Sequence, residues 1–499
     1  MKRTLATIAA GAALSACAPA AQEPETAPAP SPAQQQPAAP AAAAFPTTAP
    51  STSAAPRIDL PDAVRRTLPN GLKVVYIQQR ELPVVSALML TRGAGTGDEP
   101  ANASGLASFT ASMLDEGAGG KNSLQLADAL DLLGASLTTS AGVDAAQANL
   151  YVLKQNFPAA LRLMADVVTR PDFPQREVDR LRQERLTQLA RARDEATTIA
   201  NYAFSSLVYG EQHPYGRYPT QATTERLNRA AVAAFHARGY RPENSTLILV
   251  GDVDPAQMEP LVEQAFGSWR ATGTGPSLTA TPATPAALNR TTVYLVDKPG
   301  AAQSEIRIGH PGVARNTPDY YALLVMNTLL GASFTSRLNT NLRETHGWAY
   351  GASSGYQMLR GAGPFTARAG VQTNATDSSV VEFFKELNRI RTEDVTEAEL
   401  DKARRYVALR LPDQLETTSD IAAQYGNLET YGIDPSFLET YVERTMAVTA
   451  ADLRRVANQY VRPGQSVVVV VGDRSKVEAG LRAANVGTVV VRDVSEFVK

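Results

Sequence analysis

YRPENSTLILVGD, residues 240–252, returns as VRPGQSVVVVVGD at 461–473. Each copy carries Arg-Pro, a serine three residues after the proline, an unbroken apolar run and a closing Gly-Asp, with Gly251 and Gly472 standing 221 residues apart. The spacing recurs elsewhere. Ile199-Ala200 and Tyr209-Gly210 answer to Ile421-Ala422 and Tyr431-Gly432 at an offset of 222, and Glu177-Val178-Asp179 to Glu399-Leu400-Asp401 at the same offset. Three matches in order at a near-constant offset mark a duplication. Around the first copy, GLKVVYI (71–77) and PVVSALMLTRGAG (83–95) read as two strands paired across a polar turn. Helical periodicity follows over 104–116, 123–134, 156–168 and 175–194, and STLILVGD reads as a short buried strand. Strands and helices without strict alternation predict an α+β chain of two duplicated domains, each a mainly antiparallel sheet with helices on one face.

The ends and joints of the chain fit that division. MKRTLATIAAGAALSAC has a basic head and an apolar run too short to span a bilayer, the anatomy of a secretory signal. LSAC resembles the bacterial lipobox, which implies cleavage after residue 16 and lipidation of Cys17. Ala18 replaces the Asp that by the same resemblance retains such proteins at the inner membrane, so an outer-membrane anchor facing the periplasm is expected. Residues 17–57, rich in Ala and Pro, form a tether that at about 3.1 Å per residue reaches on the order of 100 Å. The two halves are then 58–272 and 291–499, joined by a Thr/Pro/Gly-rich linker at 273–290. Cys17 is the sole cysteine, so disulfides are excluded. A net charge of −2 gives no reason to expect a nucleic-acid partner.

One helix is chemically bland where chemistry is expected. In GLASFTASMLDEG (105–117), Leu106, Phe109, Met113 and Leu114 mark an apolar face, Ser104 is placed to cap the start and Gly117 to stop it. The opposite face offers only Ser108, Ala111 and Ser112. The context of that helix, RGAGTGDEPANASGLASFTASMLDEG from Arg92, together with LPNGLKVV (68–75), LGASLTTSAGVD (133–144), HPYGR (213–217) and GASFTSRLNTNLRETHGWAYGASSGY (331–356), resembles the pitrilysin/insulinase family of zinc peptidases, of the two-domain processing-peptidase type. The resemblance runs over residues 58–480 and implies a fold forming half of a clamshell.

Active members of that family carry H-x-x-E-H on this helix, with two histidines as zinc ligands and the glutamate as general base. By resemblance Ser108 and Ser112 stand at the histidines, Ala111 at the glutamate, and Gln188 at the third ligand, a downstream glutamate. A neutral hydroxyl, an amide and a methyl supply neither zinc ligation nor a base. The four histidines, His213, His236, His310 and His346, are too scattered to replace them, and His213 and His310, each before a proline, read as turn residues. No metal is expected in this chain.

The family's other element persists. LRETHGWAYG keeps an Arg and a Tyr seven apart, Arg343 and Tyr350, which by resemblance hold substrate and the oxyanion of a tetrahedral intermediate. Gly331, in LLGASFTSRL, resembles the glycine-containing loop by which some non-catalytic subunits guide substrate, a helix-capping glycine being the alternative. The resemblance therefore implies a chain inactive alone: the substrate-positioning subunit of a heterodimeric envelope metallopeptidase whose homologous partner holds the zinc, acting on peptides. The alternative expectation is a non-enzymatic peptide-binding or scaffold lipoprotein.

Overall fold

The computed structural model describes residues 62–276, 278 and 281–499. The signal segment, Cys17 and the tether lie outside the described residues. Two six-stranded sheets organise the rest. The first holds β1 (Ala63–Thr67), β2 (Lys73–Gln78), β3 (Val84–Arg92), β4 (Ser136–Ala141), β5 (Ala145–Leu153) and β6 (Ser245–Gly251), in the order β1-β2-β6-β3-β5-β4. The second holds β7 (Thr292–Asp297), β8 (Gln303–Pro311), β9 (Ala349–Tyr356), β10 (Pro364–Gln372), β11 (Val467–Gly472) and β12 (Thr488–Arg492), in the order β12-β7-β11-β8-β10-β9. Five positions correspond one to one, so the duplication read from the sequence is a duplication of topology. Only the outer strand beyond β2 and β7 differs: β1 runs antiparallel to its neighbour and β12 parallel.

The duplicated motif supplies the centre of each sheet. All seven residues of β6 and all six of β11 are buried, as continuous apolar runs require when both faces are covered. β6 lies parallel to β2 and antiparallel to β3, so it sits between the two strands that the sequence suggested would pair. A hairpin reading weighs only the local turn; here a strand from about 160 residues further on takes the intervening place. Gly251 ends β6 at φ 135°, and a Cβ there would lie 2.1 Å from the Val84 carbonyl oxygen, so only glycine fits.

One face of the first sheet carries helices of its own half: α1 (Leu106–Met113), α2 (Ser123–Leu132), α3 (Phe157–Thr169), α6 (Arg229–Gly239) and α7 (Pro255–Phe266), packed in one apolar core. The second sheet repeats this with α8 (Tyr320–Asn327), α9 (Thr376–Thr392), α10 (Glu397–Ala408), α12 (Ala450–Tyr460) and α13 (Arg474–Ala483). The remaining faces are covered by exchange. Helix α5 (Ala196–Tyr209), from the first half, lays Ile199, Ala200, Ala203 and Phe204 on Val296, Val467, Val469 and Val471 of the second sheet. Its duplicate α11 (Thr418–Tyr431) lays Ile421, Ala422, Tyr425 and Leu428 on Val75, Ile77, Leu88, Ile248 and Val250 of the first. Both helices end at the Tyr-Gly pair seen in the sequence repeat, with Gly210 and Gly432 at positive φ. Helix α4 (Gln175–Ala192) precedes α5 as α10 precedes α11.

Residues 273–290 contain no helix or strand among those described, yet they are tied down: Arg92 Nη2 donates to the Leu278 carbonyl at 3.1 Å, and His213 Nε2 meets the Ala283 carbonyl at 2.9 Å. A buried ion network also joins the halves. Arg360 Nη2 donates to Asp98 Oδ1 at 3.0 Å, and its backbone N–H to Asp144 Oδ2 at 2.8 Å. Both carboxylates are largely buried and would lose their ion-pair partner in Arg360→Met, which is expected to destabilise the chain by about 3 kcal/mol. A fall in the urea midpoint at unchanged slope is the readout, and a midpoint equal to wild type would show the network to be dispensable. No described helix is long and apolar enough to cross a membrane.

Candidate functional site

Helix α1 begins one residue later than the sequence suggests. Gly105, not Ser104, stands at its N-cap with φ 95°, and the capping is done from outside the helix by Glu99. Its two carboxylate oxygens accept from Gly105 N–H at 3.0 Å and Ala107 N–H at 2.7 Å, satisfying donors that a helix start leaves free. Burial nevertheless pushes the Glu99 carboxyl up to about 7, against the pull of those two bonds and of Arg217 and Arg185.

The positions that the family resemblance marks for the metal site are brought together, but the polar groups of both serines are committed. Ser108 Oγ donates to the Gly105 carbonyl at 3.2 Å, and Ser112 Oγ donates to the Ser108 carbonyl at 2.9 Å, both within the helix. Ala111 is buried, and its carbonyl accepts from Thr139 Oγ1 of β4 at 2.8 Å, which fixes that edge strand beside α1. Gln188 is exposed on α4 and lines the same cleft as Ser108. Between them stands a residue that sequence reading passed over. Arg185 Nη1 donates to Ser108 Oγ at 2.8 Å and to the Gly105 carbonyl at 3.2 Å, with its guanidinium 5.4 Å from the Phe109 ring. Arg185 precedes Gln188 by three residues and so shares its face of α4, a signal the sequence did carry. A fixed cation beside two serine hydroxyls is the wrong environment for Zn²⁺, and the donor set does not fit the metal.

The histidines do not repair this. His213 accepts at Nδ1 from Tyr215 N–H at 3.0 Å, in the turn its proline implied. His310 instead lies within β8, accepting at Nε2 from Arg462 N–H at 3.1 Å; extended backbone before a proline suits a strand as well as a turn. His236 is half-buried, its Nε2 2.8 Å from the Val168 carbonyl oxygen, and His346 stacks on Trp348 at 4.1 Å. Burial pulls His236 and His310 down to about 4. Among the described residues no three His, Cys, Asp or Glu side chains converge as a metal centre would need. Gly351-Ala352-Ser353-Ser354-Gly355 spells G-x-S-x-G, but Ser353 lies inside β9 and accepts from Arg368 Nε at 3.2 Å, without the strand-to-helix turn or histidine a serine nucleophile requires.

In the second half Arg343 and Tyr350 do meet. Arg343 lies in a wide, π-type helical stretch, Thr340–Thr345, of a kind often found where function strains a helix. Its guanidinium sits 5.3 Å from the Tyr350 ring and 4.6 Å from the ring of Phe334, a second residue missed in the sequence. Tyr350 is 89% exposed and Phe334 63%, so the stack stands out from the surface, with Glu344 the one ion-pair partner of Arg343 among the described residues. Gly331 is neither a cap nor a free loop. A Cβ there would fall 2.3 Å from the backbone nitrogen of Ser354, so the glycine lets this segment press against β9. It also lines a cleft of about 680 Å³ with Asn201, Arg307 and Arg368. No hydrogen bond, ion pair or ring contact among the described residues links this group to Ser108 and Arg185. Helix α5 lies between the two clefts, with Thr198 and Tyr202 lining one, Asn201 and Ser205 the other.

The chain is thus a duplicated pair of mixed sheets, with no metal-ligating cluster among the described residues of either half and an Arg-aromatic stack at the surface of the second. Residues 74–215 match the family model of the insulinase peptidases (peptidase family M16), and 226–407 the model described as the peptidase M16 inactive domain. The chain belongs to the insulinase family. It is 27% identical over 426 residues to an uncharacterized zinc protease of Mycobacterium tuberculosis, covering 84% of this chain and 96% of that one. A second uncharacterized zinc protease, from Bacillus subtilis, is 23% identical over 400 residues, 79% and 95% of the two chains. Among solved structures, a peptidase M16 inactive domain from Pseudomonas fluorescens superposes with a TM-score of 0.76 at 26% identity, over 82% of this chain and 98% of the other. A Helicobacter pylori protease gives 0.75 at 22% identity, over 83% and 100%, a likeness of fold.

Proposed function

We propose that this chain is the substrate-positioning, non-catalytic subunit of a heterodimeric zinc endopeptidase in the bacterial cell envelope, held to the membrane through lipidated Cys17. The observation that carries the reading is the division within the chain. The first half has Arg185 bonded to Ser108, on the face where the family resemblance places an ion, while the second holds an exposed Tyr350 stacked beside the part-exposed Arg343. A homologous partner with H-x-x-E-H intact supplies zinc and the general base. Arg343 then binds a substrate carbonyl or carboxylate by paired hydrogen bonds, and the Tyr350 hydroxyl donates to the developing oxyanion. Extended peptide is held by strand addition, for which β4, at the edge of the first sheet and bonded to α1 through Thr139, offers free backbone donors and acceptors.

The test is Arg343→Ala in the purified heterodimer. Cleavage by the pair is expected to fall on the order of 10²–10³-fold, the scale of losing one preorganised oxyanion or substrate donor, while the two subunits stay associated. Unchanged cleavage favours the scaffold reading, and peptide hydrolysis by the isolated chain removes the proposal.

A further inference from the structure

The same substitutions that unfit the first cleft for a metal cation fit it for an anion. The cleft between α1, α4 and α5 encloses about 420 Å³ and is lined by Ser108, Arg185, Gln188, Thr198 and Tyr202, with Arg191 and Glu195 at exposed positions. Arg185 spends Nη1 on Ser108 Oγ and the Gly105 carbonyl, and its Nε and Nη2 make no hydrogen bond within the described residues. No carboxylate lies within 4 Å of it there. Glu99, the acid whose charge it feels, has both oxygens engaged by backbone N–H groups, and Glu195 accepts from Thr198 Oγ1 at 2.9 Å. A guanidinium anchored by one nitrogen, half-buried and without an ionic partner, presents a planar fork matched to a carboxylate. The Gln188 amide and the Tyr202 hydroxyl add neutral donors around it.

We infer that this cleft binds a carboxylate of a peptide, with Arg185 as its anchor, so that the former metal site now selects substrate rather than cutting it. The inference rests on the peptide-handling reading above and names its chemical preference. The carboxylate comes either from a peptide C-terminus or from an acidic side chain.

The experiment uses the full chain purified in detergent and three labelled heptapeptides of common neutral sequence: free acid, C-terminal amide, and amide with one internal Glu. Fluorescence anisotropy is expected to show the free acid, the Glu peptide, or both binding at least about ten-fold more tightly than the plain amide; which of them does so identifies the source. Arg185→Gln is expected to abolish that preference, and Arg185→Lys to retain part of it. The wild-type comparison stands even if the variants fold poorly. Equal affinity for all three peptides overturns the carboxylate site and leaves the peptide-handling reading in place. A preference that survives in a folded Arg185→Gln chain overturns the role of Arg185. Failure of every peptide to bind overturns both readings.

Discussion

Residues 62–272 produced without the second half are expected to be insoluble or molten, and to recover native structure when residues 281–499 are co-expressed. The reason is the exchange of helices. Alone, the first sheet exposes Val75, Ile77, Leu88, Ile248 and Val250, which α11 otherwise covers, and α5 loses the sheet it packs on. At about 1.5–3 kcal/mol for each large apolar side chain uncovered, five residues amount to about 10 kcal/mol, comparable with the whole stability of a domain. Dye binding to exposed apolar surface and loss of near-UV dichroism would report the molten half, and co-purification of the pair would report the repair. A lone first half that unfolds cooperatively and binds no dye would mean that α11 is an ornament of the first sheet rather than one of its layers.

The second large effect concerns the lost metal centre. Ser108→His, Ala111→Glu, Ser112→His and Gln188→Glu together would supply the donors that the family resemblance assigns to these positions, yet the quadruple variant is expected to bind little zinc. Arg185 would remain beside the new ligands, and a +2 ion about 5 Å from a guanidinium at an effective dielectric of about 20 is disfavoured by about 7 kcal/mol, some five decades in affinity. Adding Arg185→Leu is expected to restore stoichiometric zinc, read by elemental analysis of the dialysed protein. Tight zinc binding by the quadruple variant with Arg185 in place would show that the cation is no barrier, and that loss of the donors alone disabled the site.

Much of this architecture was legible in the residues. The repeated Arg-Pro to Gly-Asp motif announced the duplication because a central strand covered on both faces needs an unbroken apolar run, and few sequences can vary that. The four helices read in the first half lie within a few residues of their observed limits, since periodicity reports one-sided burial. What stayed hidden was partnership. An apolar stripe such as Ile199, Ala203 and Phe204 says that α5 is covered, but not that the cover comes from Val467 and Val469 in the other half. Likewise β2 and β3 carry no mark of the strand between them, since a strand's ladder partners leave no local trace. Arg185 was concealed on a helix crowded with charge, where one more arginine reads as solvated surface. Phe334 was concealed by the exposure that makes it useful.

The edge at β4 has a consequence for life at high concentration. Natural sheets usually guard such margins with lysine, proline or a bulge, because an open ladder recruits any extended chain it meets. Here the strand is Ser136-Leu137-Thr138-Thr139-Ser140-Ala141, with none of those guards, and only small hydroxyl side chains at its exposed positions. Its protection against self-association therefore lies in low greasiness. A single Thr138→Ile or Ser140→Val exchange would add greasiness along an open ladder and favour edge-to-edge stacking of copies.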